Sequence, residues 1–392
     1  MLDSAHDLGE LLVGTGGGAD DDVVWSDDIL GAVDARQPAQ FGGDERRFAD
    51  FGLHENERLH CTKIPRKKEG SVPESNTGSR TVADVGEFGV IGRATKGRRQ
   101  PATTILGPGD DAAVVAAANG DVVVTTDMLV QDRHFRLDWS SPYQLGRKAI
   151  AQNGADVAAM GARSTAFVVA LGCPASTPIE LTDGLTDGLW AEAQRIGAGI
   201  VGGDLVQSRE LVISVTALGD LDGRSPVLRS GARPGDVVAV CGRLGAAAAG
   251  YTVLRSGETQ FAALADAHRV PAPPYEQGPL AASAGATAMT DISDGLLADL
   301  GHIAEASGAG LDVATAAMRP DDEIVSAAAY FGVDPVEWML TGGEDHALVA
   351  TFPGNVALLP GWTRIGSVVD GSGVTVDGNR WKKRSGWESF QD

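Results

Sequence analysis

Cysteine is scarce in this chain. Three occur among 392 residues, at Cys61, Cys173 and Cys241, with no C-x-x-C pair. Neither a disulfide framework nor a zinc site is readable from that spacing, and a reducing compartment is expected. Positive charge is also short, with 32 Lys and Arg against 53 Asp and Glu and a net charge of −21. Phosphate backbones and anionic lipids are held by clustered Lys and Arg, so the deficit argues against a nucleic-acid or anionic-membrane surface. An anionic ligand would need a metal ion as intermediary. No run of about 18 apolar residues occurs, and the opening MLDSAHDLGELL is acidic where a secretory signal would be basic, so a cytoplasmic protein is expected. A G-x-x-x-x-G-K-[ST] loop and the protein-kinase motif set are missing too, which excludes a P-loop.

What is present divides unevenly. Met1–His60 carry fourteen acidic and four basic residues, with a Gly run at Gly16–Gly18 and an Asp run at Asp20–Asp22; the polar, basic stretch Lys63–Arg80 follows. Such composition buries too little apolar surface to offset the entropy of ordering, so 1–80 reads as an acidic, disordered extension. From Thr81 onward, short Val/Ile/Ala runs alternate with Ala-rich helical patterns and Gly-rich turns, the texture of a mixed α/β chain. At 43% hydrophobic content the remainder is long enough for two cores, since single cores stop growing near ~250 residues.

The expected order is a strand at Asp121–Thr126, a helix capped by Ser141-Pro142 and running to Met160, a strand at Ala166–Leu171 and a helix over Pro178–Ile196. Strands near Ile200 and over Leu211–Leu218 follow. The Gly-, Pro- and charge-rich segment Asp220–Gly235 marks the boundary between domains at 81–222 and 231–392. Beyond it come a strand at Asp236–Val240, an Ala-rich helix from Leu244, the loop Pro271–Pro274, a helix over Asp294–Ser307, and strands at Ala347–Phe352 and Trp362–Val369.

Aspartates recur beside Gly, Ser or Thr at the edges of these elements: Asp110 and Asp111 in GPGDD, Asp127 after Thr125 and Thr126, Asp156, Asp204 in VGGD, and Asp291 and Asp294 in TDISDG. Any one of them alone suits a helix N-cap or turn. Together they suggest a shared site for a hard divalent cation, because ionised carboxylates leaving apolar strands are costly unless paired or metal-bound. Without Cys or His nearby, Mg²⁺ fits better than zinc. Asn153 and Asp156 share one face of an otherwise Ala-rich helix and can point at one ligand. Gly342-Gly343-Glu344-Asp345 reads as site geometry or as an ordinary tight turn. The G-x-G-x-x-A match at Gly107–Ala112 would set paired aspartates against a pyrophosphate, and Asp291–Gly295 fails the calcium-loop spacing.

In order, GDDAAV at Gly109, TTDMLVQDRHF at Thr125, the helix with Lys148, Asn153 and Asp156, GGD at Gly202, LRSGARPGD at Leu228, DISDGLLADL at Asp291 and TGGEDHAL at Thr341 resemble the thiamine-monophosphate kinase family. That family sits within the PurM-like aminoimidazole-ribotide synthetase superfamily. The resemblance spans Val82–Phe390 and implies an amino-terminal α/β domain that dimerises through its sheet, a carboxy-terminal α/β domain, and ATP bound between them. It implies several Mg²⁺ ions on Asp111, Thr125, Thr126, Asp127, Asp156, Asp204, Asp291 and Asp294. ATP contacts would come from Gly203, Asp204, Arg229 and Ser293, and thiamine monophosphate contacts from His134, Glu344 and Trp387, the last placed by the short GWESF match.

The implied reaction is direct in-line transfer of phosphate from ATP to thiamine monophosphate with no general base, in a homodimer without nucleic-acid or membrane partners. Selenophosphate synthetase and the hydrogenase-maturation dehydratase, rivals within the superfamily, rely on cysteine or selenocysteine at places this chain leaves empty: Cys61 lies in the tail and no Cys follows Cys241. Aminoimidazole-ribotide synthetase itself suits the His134 and Glu344 blocks less well, and a non-catalytic cation- or nucleotide-binding protein is separated by turnover.

Overall fold

The computed structural model describes residues 80–107, 114–117, 120–383 and 385–386. The acidic extension, Asp110, Asp111 and Trp387 lie outside the described residues.

The first half opens with α1 (Val82–Val85) and α2 (Glu87–Thr95) and the small antiparallel pair β1 (Thr104–Leu106) and β2 (Val114–Val115). Its main sheet contains β3 (Val123–Val130), β4 (Arg163–Cys173), β5 (Gly199–Gln207) and β6 (Val212–Asp220), in the order β3-β6-β4-β5 with β4 and β5 parallel. Helices α3 (Pro142–Ala159) and α4 (Ile179–Ile196) cover one face, and Leu145, Ile150, Leu185 and Trp190 pack there on Phe167, Ile213 and Val215. Helix α3 begins where the sequence predicts. Ser141 accepts from the Gln144 N–H, the Gln144 side chain returns to the Ser141 backbone, and Pro142 takes the first helical turn, where no backbone donor is needed.

Among the described residues, nothing covers the other face of this sheet. Val124, Met128 and Val206 are 62%, 52% and 53% exposed on it. β3 also runs further than the apolar run suggests. Its pairing with β6 continues to Val130↔Val212, so Asp127 is a mid-strand residue instead of one that ends the strand. Alternation then sends Thr125, Asp127 and Leu129 toward α3 and Val124, Thr126 and Met128 to the open face.

The second half builds a seven-stranded sheet from β7 (Val237–Cys241), β8 (Ala288–Asp291), β9 (Gly310–Val313), β10 (Leu348–Phe352), β11 (Trp362–Val369), β12 (Gly373–Val376) and β13 (Asn379–Arg380). Its order is β13-β12-β9-β11-β7-β10-β8, antiparallel except for β9 with β12. The helices are α5 (Ala246–Ser256), α6 (Ala262–Arg269), α7 (Gln277–Ser283), α8 (Leu296–Ser307), α9 (Asp322–Phe331) and α10 (Pro335–Thr341). α8 lays Leu296, Leu300 and Ile303 on Val238, Leu311 and Val349. On the opposite face, Ala281 of α7 joins Ala158 and Ala159 of α3 against Ala239, Leu348 and Phe352. Gly278 permits that approach, since a Cβ there would strike the Ala158 carbonyl. α3 therefore backs one sheet and leans on the other, which presents its remaining face to the loops of the second half.

Candidate active site

Four segments meet along that face of α3: mid-β3, α3 itself, the β8–α8 turn, and the loop of residues 342–346. From β3, the Thr125 hydroxyl donates to Asp156 Oδ2 at 2.8 Å. Asp127 accepts from the Gln152 side chain. From the C-terminal half, Asp291 ends β8, with its Oδ2 3.0 Å from His346 Nδ1. Asp299, buried in the first turn of α8, reaches back to accept from the Asp294 and Gly295 N–H groups at 3.2 and 3.1 Å, which fixes the DISDG turn.

The 342–346 loop is tied to that turn. Glu344 donates its N–H to the Ser293 carbonyl at 2.8 Å, and His346 donates to that of Ile292 at 2.9 Å. Gly343 is required because a Cβ there would strike the Ser293 carbonyl. Glu344 and His346 both adopt left-handed backbone, φ 68° and 50°, a conformation that non-glycine residues hold only when their surroundings fix it. Asp345 points the other way and caps α5, accepting from Gly245 and Ala247 N–H at 2.5 and 2.8 Å. Glu344 is ion-paired with Lys148 of α3.

The carboxylates press on one another. Burial pushes Asp127 up, with His346 opposing and Asp291 reinforcing. Burial followed by Asp291 and Asp127 carries Asp156 to about 7, against the pull of the Thr125 hydroxyl. Burial and the charges of Asp291 and Asp294 bring Asp299 to about 7 as well, and burial raises Asp294. Glu344 goes the other way. Burial alone would raise it, but Lys148, His346 and His268 hold it down at about 2. Carboxylates raised by burial and by one another's charge would be relieved by a bound cation, and their hard oxygens are of the type that suits Mg²⁺ or Ca²⁺. Asp294, Asp299 and His302 also set ligand atoms within 4.8 Å of one another. Asn153 is fully buried. Its Nδ2 donates to the Ala149 carbonyl, and its Oδ1 has no partner among the described residues.

Beside this acidic end opens a cavity of about 790 Å³, lined by Ser293 and Glu344 and, farther out, by His134, Trp139, Tyr251 and His268. Trp139 and Tyr251 meet edge-on at 5.8 Å, and Tyr251 lies 5.6 Å from His268. Arg136 stacks 4.9 Å from the Trp139 ring. His134 is fixed by a 3.0 Å bond from the Val130 N–H to its Nδ1.

The fold thus brings Thr125, Asp127, Asp156, Asp291, Ser293, Asp294 and Glu344 to one region, with His134 on the cavity wall. It does not bring Thr126, whose side chain is on the open sheet face and whose hydroxyl donates to the Val215 carbonyl at 3.0 Å. Gly203 and Asp204 lie on β5, at the far edge of the sheet: Asp204 is in register with Ala170, Ser214 and then Met128, three strands away on the open face. Arg229 is exposed in a turn whose carbonyl accepts from Ser307, at the opposite end of α8 from Asp294. Within the single chain these four stay apart from that region, as strand alternation and strand order dictate. Sequence reading missed the aromatic wall, because Trp139, Tyr251 and His268 are brought together only by tertiary contact. It also passed over Asp299 and His346. The four-residue step from Gly295 to an acid inside the apolar DGLLADL helix was a legible signal for Asp299.

Two family models match the chain: AIR synthase related protein, N-terminal domain, over residues 109–221, and AIR synthase related protein, C-terminal domain, over 233–379. The chain is 60% identical over 316 residues to the thiamine-monophosphate kinase of Mycobacterium tuberculosis, covering 80% of this chain and 94% of that one. It is 43% identical to that of Corynebacterium glutamicum, covering 82% and 98%. Among solved structures it superposes on AaThiL complexed with AMPPCP and TMP at TM-score 0.65 and 30% identity, covering 78% and 97%. The thiamine-monophosphate kinase of Stenotrophomonas maltophilia gives 0.64 and 31%, covering 74% and 95%.

Proposed function

The chain belongs to the thiamine-monophosphate kinase family, and from that premise we propose that it transfers the γ-phosphoryl group of ATP to thiamine monophosphate, releasing ADP and thiamine diphosphate. The observation that carries the reading is the juxtaposition of a repelling carboxylate group, Asp127, Asp156 and Asp291, with a cavity of substrate size whose nearer wall holds Ser293 and Glu344.

Several Mg²⁺ ions are part of this reading, and the donor set fits them. Thr125, Asp127, Asp156, Asp291 and Asp294 would hold them, as would Asp111, which lies outside the described residues. Held by those residues, Mg²⁺ would supply charge neutralisation between the ATP phosphates and the acceptor phosphate, the electrostatic part of phosphoryl-transfer catalysis. The protein's own contribution is positional. Thr125 orients Asp156, Gln152 orients Asp127, His346 orients Asp291, and Asp299 holds the turn bearing Ser293 and Asp294. No side chain is assigned as a base, because a phosphomonoester with a second pKa near ~6 is already ionised at pH 7. On the acceptor side the reading takes His134, Glu344 and Trp387, the last outside the described residues.

The assignment of Thr126, Gly203, Asp204 and Arg229 to the metal and ATP sites is retained through a homodimer. The open sheet face, with exposed Val124, Met128 and Val206, supports such an assembly, because monomers rarely leave an apolar sheet face in water. Packing that face on its copy would carry Asp204 of one chain toward Thr126 of the other. Domain limits of 81–222 and 231–392 are supported by the sheets, whose strands span 104–220 and 237–380. A cytoplasmic location is supported by the free, buried thiols of Cys173 and Cys241. Among the described residues, no helix is long and apolar enough to cross a membrane.

The test is a coupled ADP-release assay with thiamine monophosphate, ATP and Mg²⁺, with thiamine diphosphate identified as product. Acceptor-independent ADP release, or none, would overturn the assignment.

A further inference from the structure

Lys148, Gln152 and Asp156 follow one another at four-residue intervals on α3, so they form a row on one side of the helix. Two members reach β3, Asp156 meeting Thr125 and Gln152 meeting Asp127, and the third, Lys148, crosses to Glu344 of the 342–346 loop. Eight residues of helix rise about 12 Å, which separates the metal-binding end of the row from the Lys148 end by roughly the span of a phosphorylated two-ring molecule.

Lys148 is an unusual residue for its place. It is 2% exposed, in the midst of Leu145, Ala149 and Ile150, and long cations are almost never buried unless paired. Its Nζ donates to the His268 carbonyl at 3.3 Å and is ion-paired with Glu344. Glu344 is its counterpart in strain: left-handed backbone, N–H tied to Ser293, and a side chain that keeps 38% of its surface open to the cavity. One carboxylate therefore faces a buried cation on one side and the acceptor cavity on the other. An open carboxylate with no partner would attract any cation, Mg²⁺ included, and would be free to rotate. Paired with Lys148, it becomes a fixed hydrogen-bond acceptor of known direction.

We infer that Lys148 is a positioning residue for the acceptor: by neutralising and orienting Glu344 it sets how the organic part of the substrate is recognised, about two helical turns from the phosphate. The inference rests on the acceptor assigned above. It makes Glu344 a hydrogen-bond acceptor for the ring substituents and removes it from the pool of metal-attracting charges.

The experiment is steady-state kinetics on the full-length enzyme and on Lys148→Met, Lys148→Arg, Glu344→Gln and the Lys148→Met/Glu344→Gln pair, varying thiamine monophosphate and Mg-ATP separately. Lys148→Met is expected to raise KM for thiamine monophosphate at least tenfold while KM for Mg-ATP moves less than threefold. Lys148→Arg should recover most of that loss, and the double variant should be no worse than the poorer single one, as residues acting through one contact require. A KM for thiamine monophosphate within twofold of wild type in Lys148→Met, or equal increases for both substrates, overturns the role. Should Lys148→Met not fold, the decision passes to the other two variants: Glu344→Gln must raise the acceptor KM selectively and Lys148→Arg must raise it less, and any other pattern overturns it. Wild-type turnover is measured in the same assay. Its absence overturns the acceptor assignment and this inference with it, whereas wild-type turnover with unaltered variants overturns the role of Lys148 alone.

Discussion

The hydroxyl of Thr125 donates to Asp156 Oδ2 at 2.8 Å, stitching mid-β3 to the last turns of α3 across the acidic end of the site. The bond exists because β3 stays paired for four residues past Thr126, which keeps Thr125 and Asp127 on the helix-facing side. The placement of Asp127 and Asp156 thus depends on strand pairing, and both carboxylates are carried on rigid elements.

The first expectation is for Asp127→Asn and Asp156→Asn. Each removes one of several mutually repelling charges while preserving shape, so turnover should fall at least ~100-fold through loss of metal binding. Without Mg²⁺, each variant should be more stable than wild type at pH 8, by roughly 1–2 kcal/mol for Asp156→Asn, whose carboxyl is raised to about 7, the relief discounted for its partial exposure. Urea melts in chelator and kcat in excess Mg²⁺ check both halves. Unchanged turnover in both variants would remove these residues from the metal site.

Asp345 gives a pH dependence. Burial raises its carboxyl from 3.8 to about 7, although two backbone N–H bonds pull the other way. A folded pKa above the unfolded one means that the native state holds the proton more tightly. The contribution to stability is complete below pH ~4 and is lost as pH rises through about 7, at most roughly 4 kcal/mol. Asp345→Asn has no such proton to lose, so its stability relative to wild type should improve steadily between pH 4 and 8. Parallel profiles for the two proteins in urea melts would show that the group does not titrate in that window.

The homodimer makes a sharper claim. If Asp204 of one chain serves a site whose Asp127 lies on the other, Asp127→Asn and Asp204→Asn should each be inactive, yet mixing them should restore activity. Random exchange gives half heterodimers, each with one intact and one doubly damaged site, so about a quarter of wild-type activity is expected. Activity that stays at background after verified subunit exchange would place both residues in the same chain's site or leave Asp204 outside it.

Much of the fold was legible because its long elements carry local signals. Ser141-Pro142 announces α3, and buried apolar runs announce β4, β6, β7, β10 and β11. The short strands β8, β9 and β12 were not readable. Four residues such as Gly310–Val313 hold no period long enough to separate strand from turn, and only their neighbours make them strands. At the candidate site, Asp127, Asp156, Asp291 and Glu344 could be singled out because an acidic residue beside Gly, Ala or Thr in an apolar stretch is a local feature. That Thr126 faces away, that Asp204 sits three strands off, and that Lys148 crosses to Glu344 are facts of strand order and domain contact, which no window of sequence contains.

The acceptor itself supplies the last expectation: thiamine monophosphate should be phosphorylated, and thiamine should be left almost untouched. Thiamine offers a hydroxyl that stays protonated at pH 7, and with no base assigned it has no route to an adequate nucleophile. It also lacks the phosphate that the Asp127, Asp156 and Asp291 end would hold through metal, and with it the positioning that makes transfer effectively unimolecular. The rings that both compounds share would still meet Glu344 and the Trp139 and Tyr251 wall, so thiamine should occupy the cavity as a weak competitor. Product formation from each acceptor at equal concentration, with saturating Mg-ATP, decides the matter. A rate with thiamine at least ~100-fold lower, together with competitive inhibition against thiamine monophosphate, is expected if proximity and ionisation carry the reaction. Comparable rates would require a base that this reading does not contain, and would overturn the direct mechanism along with the substrate.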